Sequence, residues 1–144
     1  MTRLLSVGSL LALPVTLNGI ELGRPVDALV EVERLRVVGL TVRSTDDVMR
    51  FLPFAAARVR DDAIEVASAL LLLEDDRFYR ERGQELASLR GRPVLRGRTS
   101  VGALAGATIG SDGEIRELLV DDGDDRVAIA VTSDVHLARP PRAA

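Results

Sequence analysis

Few residues in this chain of 144 can do chemistry, because it holds one histidine and no cysteine. His136 stands near Ser133 and Asp134, the three side-chain types of an acyl-transfer triad. A triad needs all three to converge beside an oxyanion hole. On an extended segment Asp134 and His136 share a face while Ser133 points away, so the spacing speaks against catalysis. Asp121-Asp122-Gly123-Asp124-Asp125 could attract a cation, yet a calcium loop needs acids at alternating positions and a closing glutamate. An Asp-Gly pair between two apolar runs is instead a hairpin turn. Gly97, Gly102, Gly106 and Gly110 form neither a P-loop nor a GxGxxG pattern, so their plain role is to let strands bend and approach closely. What remains is Arg90, Arg92, Arg96 and Arg98, the densest basic cluster. A solvated strand-and-turn surface is its plain reading, and contact with an anionic partner the alternative. No catalytic residue, metal or cofactor is therefore expected.

Composition narrows the classes further. Hydrophobic residues make up 47% of the chain and charged ones 28%, the balance of a folded protein rather than a disordered one. Aromatics are only 3%, so the core must be aliphatic and stacking platforms for bases are scarce. All 19 basic residues are arginine, against 22 acids, for a net charge of −3. A GC-rich genome accounts for the missing lysine, and no basic excess points to nucleic acid. The absence of cysteine fits a cytoplasmic protein. The longest strongly apolar run, Ala69 to Leu73, is far below the roughly 18 residues of a membrane-spanning helix. The opening MTRLLSVGSLLALPVTL has an arginine and an apolar stretch, as leaders do. It lacks an A-x-A-like site and carries the first strand of a repeat, so it reads as part of the fold.

The elements around these residues are strands. Asn18-Gly19 is a two-residue hairpin signal. After it come a short strand, a break at Gly23-Arg24-Pro25, and a strand with Val26, Ala28 and Val30 on one face. A third strand follows from Arg36 to Arg43, alternating Val38, Leu40 and Val42 with Gly39, Thr41 and Arg43. Pro53 is acceptable only at a strand start, an edge or a bulge. Ala57 to Arg60 and Ala63 to Val66 read as a hairpin across Asp61-Asp62. Later, Arg126 to Val131 and Val135 to Leu137 read as strands.

A second copy of the first strands is visible by spacing. Pro14-Val15 and Pro93-Val94 stand 79 positions apart, as do Gly23 and Gly102. That offset matches Val26, Ala28 and Val30 with Ala105, Ala107 and Ile109. It drops by one past Ser111-Asp112-Gly113, where Leu40 and Val42 meet Leu118 and Val120; turns tolerate such deletions. Each copy is expected to close round its own interior. The segments are then 1–68, a first barrel-like unit; 69–88, a helical connector; 89–138, a second unit; and 139–144, a frayed tail. In the connector Asp76 and Arg80 are spaced as a helical ion pair. Leu71, Phe78, Leu86 and Leu89 could line one apolar face, and Gly83 favours two shorter helices as much as one.

With these features in place, the chain resembles tandem PRC-barrel proteins of bacteria. The resemblance is carried by Gly19-Ile20-Glu21-Leu22-Gly23 through Val30, Arg36-Val37-Val38-Gly39-Leu40-Thr41-Val42, Arg50-Phe51-Leu52-Pro53-Phe54 and Asp61-Asp62-Ala63-Ile64-Glu65-Val66. In the second copy the V-x-G-L pattern becomes Ile115-Arg116-Glu117-Leu118 and the aromatic-Pro segment is absent. Leu73-Glu74-Asp75-Asp76 with Phe78-Tyr79-Arg80 resembles the connector of two-barrel members. The resemblance implies a mainly β chain of two small PRC-type β barrels in tandem with a short helical connector, binding macromolecules without catalysing a reaction. Protein is the expected partner, with homodimerisation through exposed edge strands a further expectation. RNA or ribosome association through Arg90–Arg98 is one alternative. A small-ligand-binding barrel is another.

Overall fold

Asn18 and Gly19 adopt φ of 49° and 81°, the pair of positive values a type I′ turn requires, and they close the first hairpin. The computed structural model describes residues 4–138, so the expected tail at 139–144 lies outside the described residues. The protein is mainly β. In chain order it forms β1 (Leu5–Ser6), α1 (Val7–Leu11), β2 (Val15–Leu17), β3 (Ile20–Glu31), β4 (Arg36–Ser44) and β5 (Met49–Pro53). A 3-10 turn over Phe54–Ala56 leads to β6 (Arg58–Val59) and β7 (Ile64–Glu65). A second, over Ala69–Leu71, leads to α2 (Arg77–Arg80), β8 (Gln84–Glu85) and α3 (Leu86–Leu89). The chain continues through β9 (Pro93–Arg96), β10 (Thr99–Ile109), β11 (Ile115–Asp122), β12 (Asp125–Ala130) and β13 (Val135–Leu137).

These strands make two sheets. One runs β5-β4-β3-β2-β7-β6 with β8 added on β3; the other runs β12-β11-β10-β9-β13 with β1 added on β10. Neither sheet closes into the barrel expected from the sequence. β6 and β13 end the two sheets opposite β5 and β12, and among the described residues they pair with β7 and β9.

Residue by residue, the two sheets share one register. In the first, Gly23 faces Val15, Pro25 faces Val42, Asp27 faces Thr41 and Ala28 faces Leu40. In the second, Gly102 faces Val94, Leu104 faces Val120, Gly106 faces Leu119 and Ala107 faces Leu118. Both long strands slip register at the same two places, Pro25/Asp27 with Leu29/Val30 and Leu104/Gly106 with Thr108/Ile109. A bulge bends the strand and turns a side chain away. So Val26 does not join Ala28 and Val30: it is 45% exposed, and Pro25 takes the buried place. The expected break at Gly23-Arg24-Pro25 is likewise a continuous strand, bent rather than interrupted. A Cβ on Gly23 would lie 2.5 Å from the Arg43 carbonyl oxygen, and one on Gly102 2.5 Å from Val120 Cγ1. At both positions the neighbouring strand leaves no room for a side chain.

The equivalence also shows an exchange between halves. β1 precedes β2 by the spacing with which β8 precedes β9, yet β1 pairs with β10 and β8 with β3. Leu5 faces Ile109 and Ser6 faces Thr108; correspondingly Gln84 faces Val30 and Glu85 faces Leu29. α1 and α3 follow those strands and bury Val7 with Leu10, and Leu86 with Leu89. The crossing point is reciprocal too. Val37 N donates to Gly113 O at 2.9 Å and Ile115 N donates to Leu35 O at 2.9 Å, as a two-fold relation requires. The halves therefore do not close round separate interiors: the buried aliphatics of both form one cluster.

Across 69–89 the chain forms a 3-10 turn and two short helices, α2 and α3, which lie on either side of Gly83. β8 and α3 stand 79 positions after β1 and α1. Phe78 is 56% exposed rather than part of an apolar face. Asp76 and Arg80 do form the expected ion pair. A Cβ on Gly83 would stand 2.9 Å from Leu29 Cγ, where the chain passes close to β3.

Candidate interaction surface

β5 is the outer strand of the first sheet, and residues 69–82 fold over it. Phe51 N donates to Leu73 O at 2.8 Å, and Leu73 N donates back to Phe51 O at 2.7 Å. The Phe51 ring is buried, with its centroid 4.6 Å from that of Tyr79. Tyr79 meets Phe78 edge to face at 5.2 Å, and the Arg82 guanidinium lies 4.1 Å over the Phe78 ring. Arg50 ties the layer down, with ion pairs to Asp46 at 2.8 Å and Glu74 at 3.5 Å. Hydrogen bonding to Arg50 holds the Asp46 carboxyl below its usual value, and Asp46 in turn raises the Arg50 guanidinium.

Between this layer and the β4–β5 turn runs an open groove of about 570 Å³, walled by Leu22, Thr45, Arg50 and Leu70. Leu70 is 87% exposed while Leu72, two residues on, is buried at 8%. The 3-10 turn splits the Ala69–Leu73 run between inside and outside. Val48 and Met49, at the start of β5, are also exposed. The sequence marks this run only as apolar; the exposure of Leu70 follows from the turn, which Ser68 caps by accepting from Leu70 N.

The four arginines are spread along β9 and its two flanks. Arg90 caps α3 and Arg92 donates to Gln84 Oε1 at 2.8 Å, at one end of β9. Arg96 ends β9 and Arg98 sits in the turn with Gly97, whose φ is 61°. At about 3.3 Å per strand residue, Arg92 and Arg96 stand roughly 13 Å apart. None of the four makes an ion pair among the described residues.

The other candidates resolve into turns and small clefts. Asp122 faces Asp125, so Gly123 and Asp124 are the central turn residues rather than Asp122-Gly123, and Asp121 pairs with Arg126 at 2.8 Å. That hydrogen bond lowers the Asp121 carboxyl and raises the Arg126 guanidinium. Asp134 accepts from Thr132 Oγ1, which lowers its carboxyl, rather than from His136. His136 lies in β13 opposite Leu95, beside a shallow depression of about 360 Å³ that it shares with Arg92. A cleft where Leu5, Leu13, Phe54 and Ile109 meet holds about 180 Å³. Among the described residues no three His, Asp or Glu side chains are placed to hold a metal ion. No helix of those residues is long and apolar enough to cross a membrane. No family model matches the chain, and no curated protein matches it.

Proposed function

We propose that this protein is a non-catalytic interaction or scaffolding module of the PRC-barrel type, built by duplication, and that it binds another protein in the cytoplasm. The observation that carries the reading is Leu70, a large aliphatic side chain held almost wholly in solvent on the wall of an open groove. Isolated exposed leucines are ordinary, but this one is presented by a capped turn on the wall of a groove. Apolar anchors surrounded by charged rims are the usual make-up of a protein contact. The shared register and paired bulges of the two sheets support duplication, and the long bent strands β3 and β10 support a barrel-type ancestry.

The test is capture from a lysate by the immobilised full chain, at low and at high salt. A defined protein retained at both salts and lost with Leu70→Asp is the expected result. Capture unchanged by Leu70→Asp would remove the groove from the reading. A second reading, RNA association, is favoured by Arg90, Arg96 and Arg98, which stand exposed without ion pairs among the described residues. It requires RNA that is released at high salt and lost when these arginines become alanine.

A further inference from the structure

β12 is to the second sheet what β5 is to the first, and the two edges are finished differently. Phe51 faces Thr41 on β4 as Ala128 faces Leu119 on β11. Phe51 turns its N–H and carbonyl outward, and Leu73 pairs with both. Strand alternation turns the same groups of Ala128 outward, with those of Arg126 and Ala130. No other segment among the described residues pairs with them, and Arg126, Val127, Ala128 and Ala130 are all exposed. The strand holds no proline, no bulge interrupts its pairing with β11, and its charges, Asp125 and Arg126, are confined to its first two residues.

We infer that β12 pairs antiparallel with β12 of a second copy of this chain, about a two-fold axis at Ala128, to give a closed dimer. The sequence is self-complementary in that register. Val127 falls opposite Ile129 of the partner subunit, continuing the apolar rows of Val120 and Leu118 across the axis. Arg126 falls opposite Ala130 of the partner subunit, and the acidic turn at 121–125 projects beyond the paired strands. Moving the axis to Arg126 would set two arginines face to face, which is unfavourable. The pairing is isologous and uses up the β12 edge of both copies, so association through this edge stops at two chains.

The inference deepens the interaction reading and rests on it, since it names a second copy as one partner. The native chain has no cysteine, so Ala128→Cys supplies a unique thiol in each full-length chain. Pairing at the axis brings the two thiols together; strand neighbours of this kind stand about 5.5 Å apart at Cα, within disulfide reach. Light scattering should give twice the monomer mass for the native chain. Mild oxidation should then cross-link the Ala128→Cys chain and leave Met49→Cys, on the covered edge, uncross-linked. Ala128→Lys and Ala128→Asp should each be monomeric alone and dimeric when mixed, which separates a lost contact from a lost fold. A native chain that is monomeric across the concentration series overturns the inference, as does a dimer that cross-links through Met49→Cys instead. A monomer that still captures a partner through Leu70 overturns the dimer alone. A dimer that captures nothing leaves it standing without the groove.

Discussion

The outer strands β5 and β12 occupy matching places in two sheets of one register, yet among the described residues one is sealed and the other bare. In the first sheet Gly39 leaves space on β4 and the Phe51 ring on β5 fills it. A Cβ on Gly39 would stand 2.6 Å from the Leu52 carbonyl oxygen and collide with the ring. In the second sheet the sizes are reversed, with Glu117 on β11 and Ala128 on β12. Glu117 spends its carboxylate on Thr108 Oγ1 at 3.0 Å. Ala128 offers no ring of the kind on which Tyr79 packs at Phe51. One size exchange between facing strands thus separates an edge that packs against its own chain from one that faces solvent.

The largest effect should come from separating the halves. A chain ending after residue 83 keeps β1 but loses both β10, on which β1 pairs, and β8. We expect no cooperatively folded monomer, read by circular dichroism and thermal denaturation. A sharp transition in a monomeric half would break the claim that the sheets form one unit. Next, Phe51→Ala should cost about 3–5 kcal/mol in chemical denaturation, as truncation of a buried aromatic does. Gly39→Ala should cost about 1–3 kcal/mol by overpacking, and less in the Phe51→Ala background, where the ring no longer occupies the space. The matching change Glu117→Ala should cost no more than about 1 kcal/mol, one hydrogen bond to a hydroxyl.

Leu73→Pro removes the N–H that Phe51 O accepts and should cost roughly 1–2 kcal/mol. It also frees the first edge, so light scattering should show species larger than the native chain. Unchanged mass would mean that the aromatic layer, not the backbone pairing, protects β5. A smaller effect of opposite sign concerns Thr41, whose Oγ1 is buried without a hydrogen-bond partner while its counterpart in the second sheet is Leu119. Thr41→Val should stabilise by about 1 kcal/mol.

The smallest effect lies in the connector. Arg77 hydrogen-bonds Asp75, and the Asp75 carboxyl is lowered to about 2 from 3.8. A carboxyl lowered by folding contributes above its ordinary value and loses that contribution as pH falls through about 2. The pair is exposed, so Arg77→Ala should move the NMR titration midpoint of Asp75 up toward 3.8 without a measurable change in melting temperature.

Local chemistry was legible from the residues alone. Asn18-Gly19, the Asp61-Asp62 hairpin, the strand at Val135–Leu137 and the 79-residue offset between the two sets of strands all follow from turn preferences and period-two patterning, which need only a few neighbouring residues. The offset even placed the pairs Ala28 with Leu40 and Ala107 with Leu118 in matching positions. The arginine cluster was legible as composition, and the structure lays it along β9 and its flanks. Three things were settled only by the packed chain: that Val26 turns outward at a bulge, that β1 and β8 trade sheets, and that Leu70 points to solvent while Leu72 points inward. Each depends on which distant strand lies alongside. A hydrophobic pattern says that a side chain wants burial, but the choice among equivalent partners is made by the closure of the whole core.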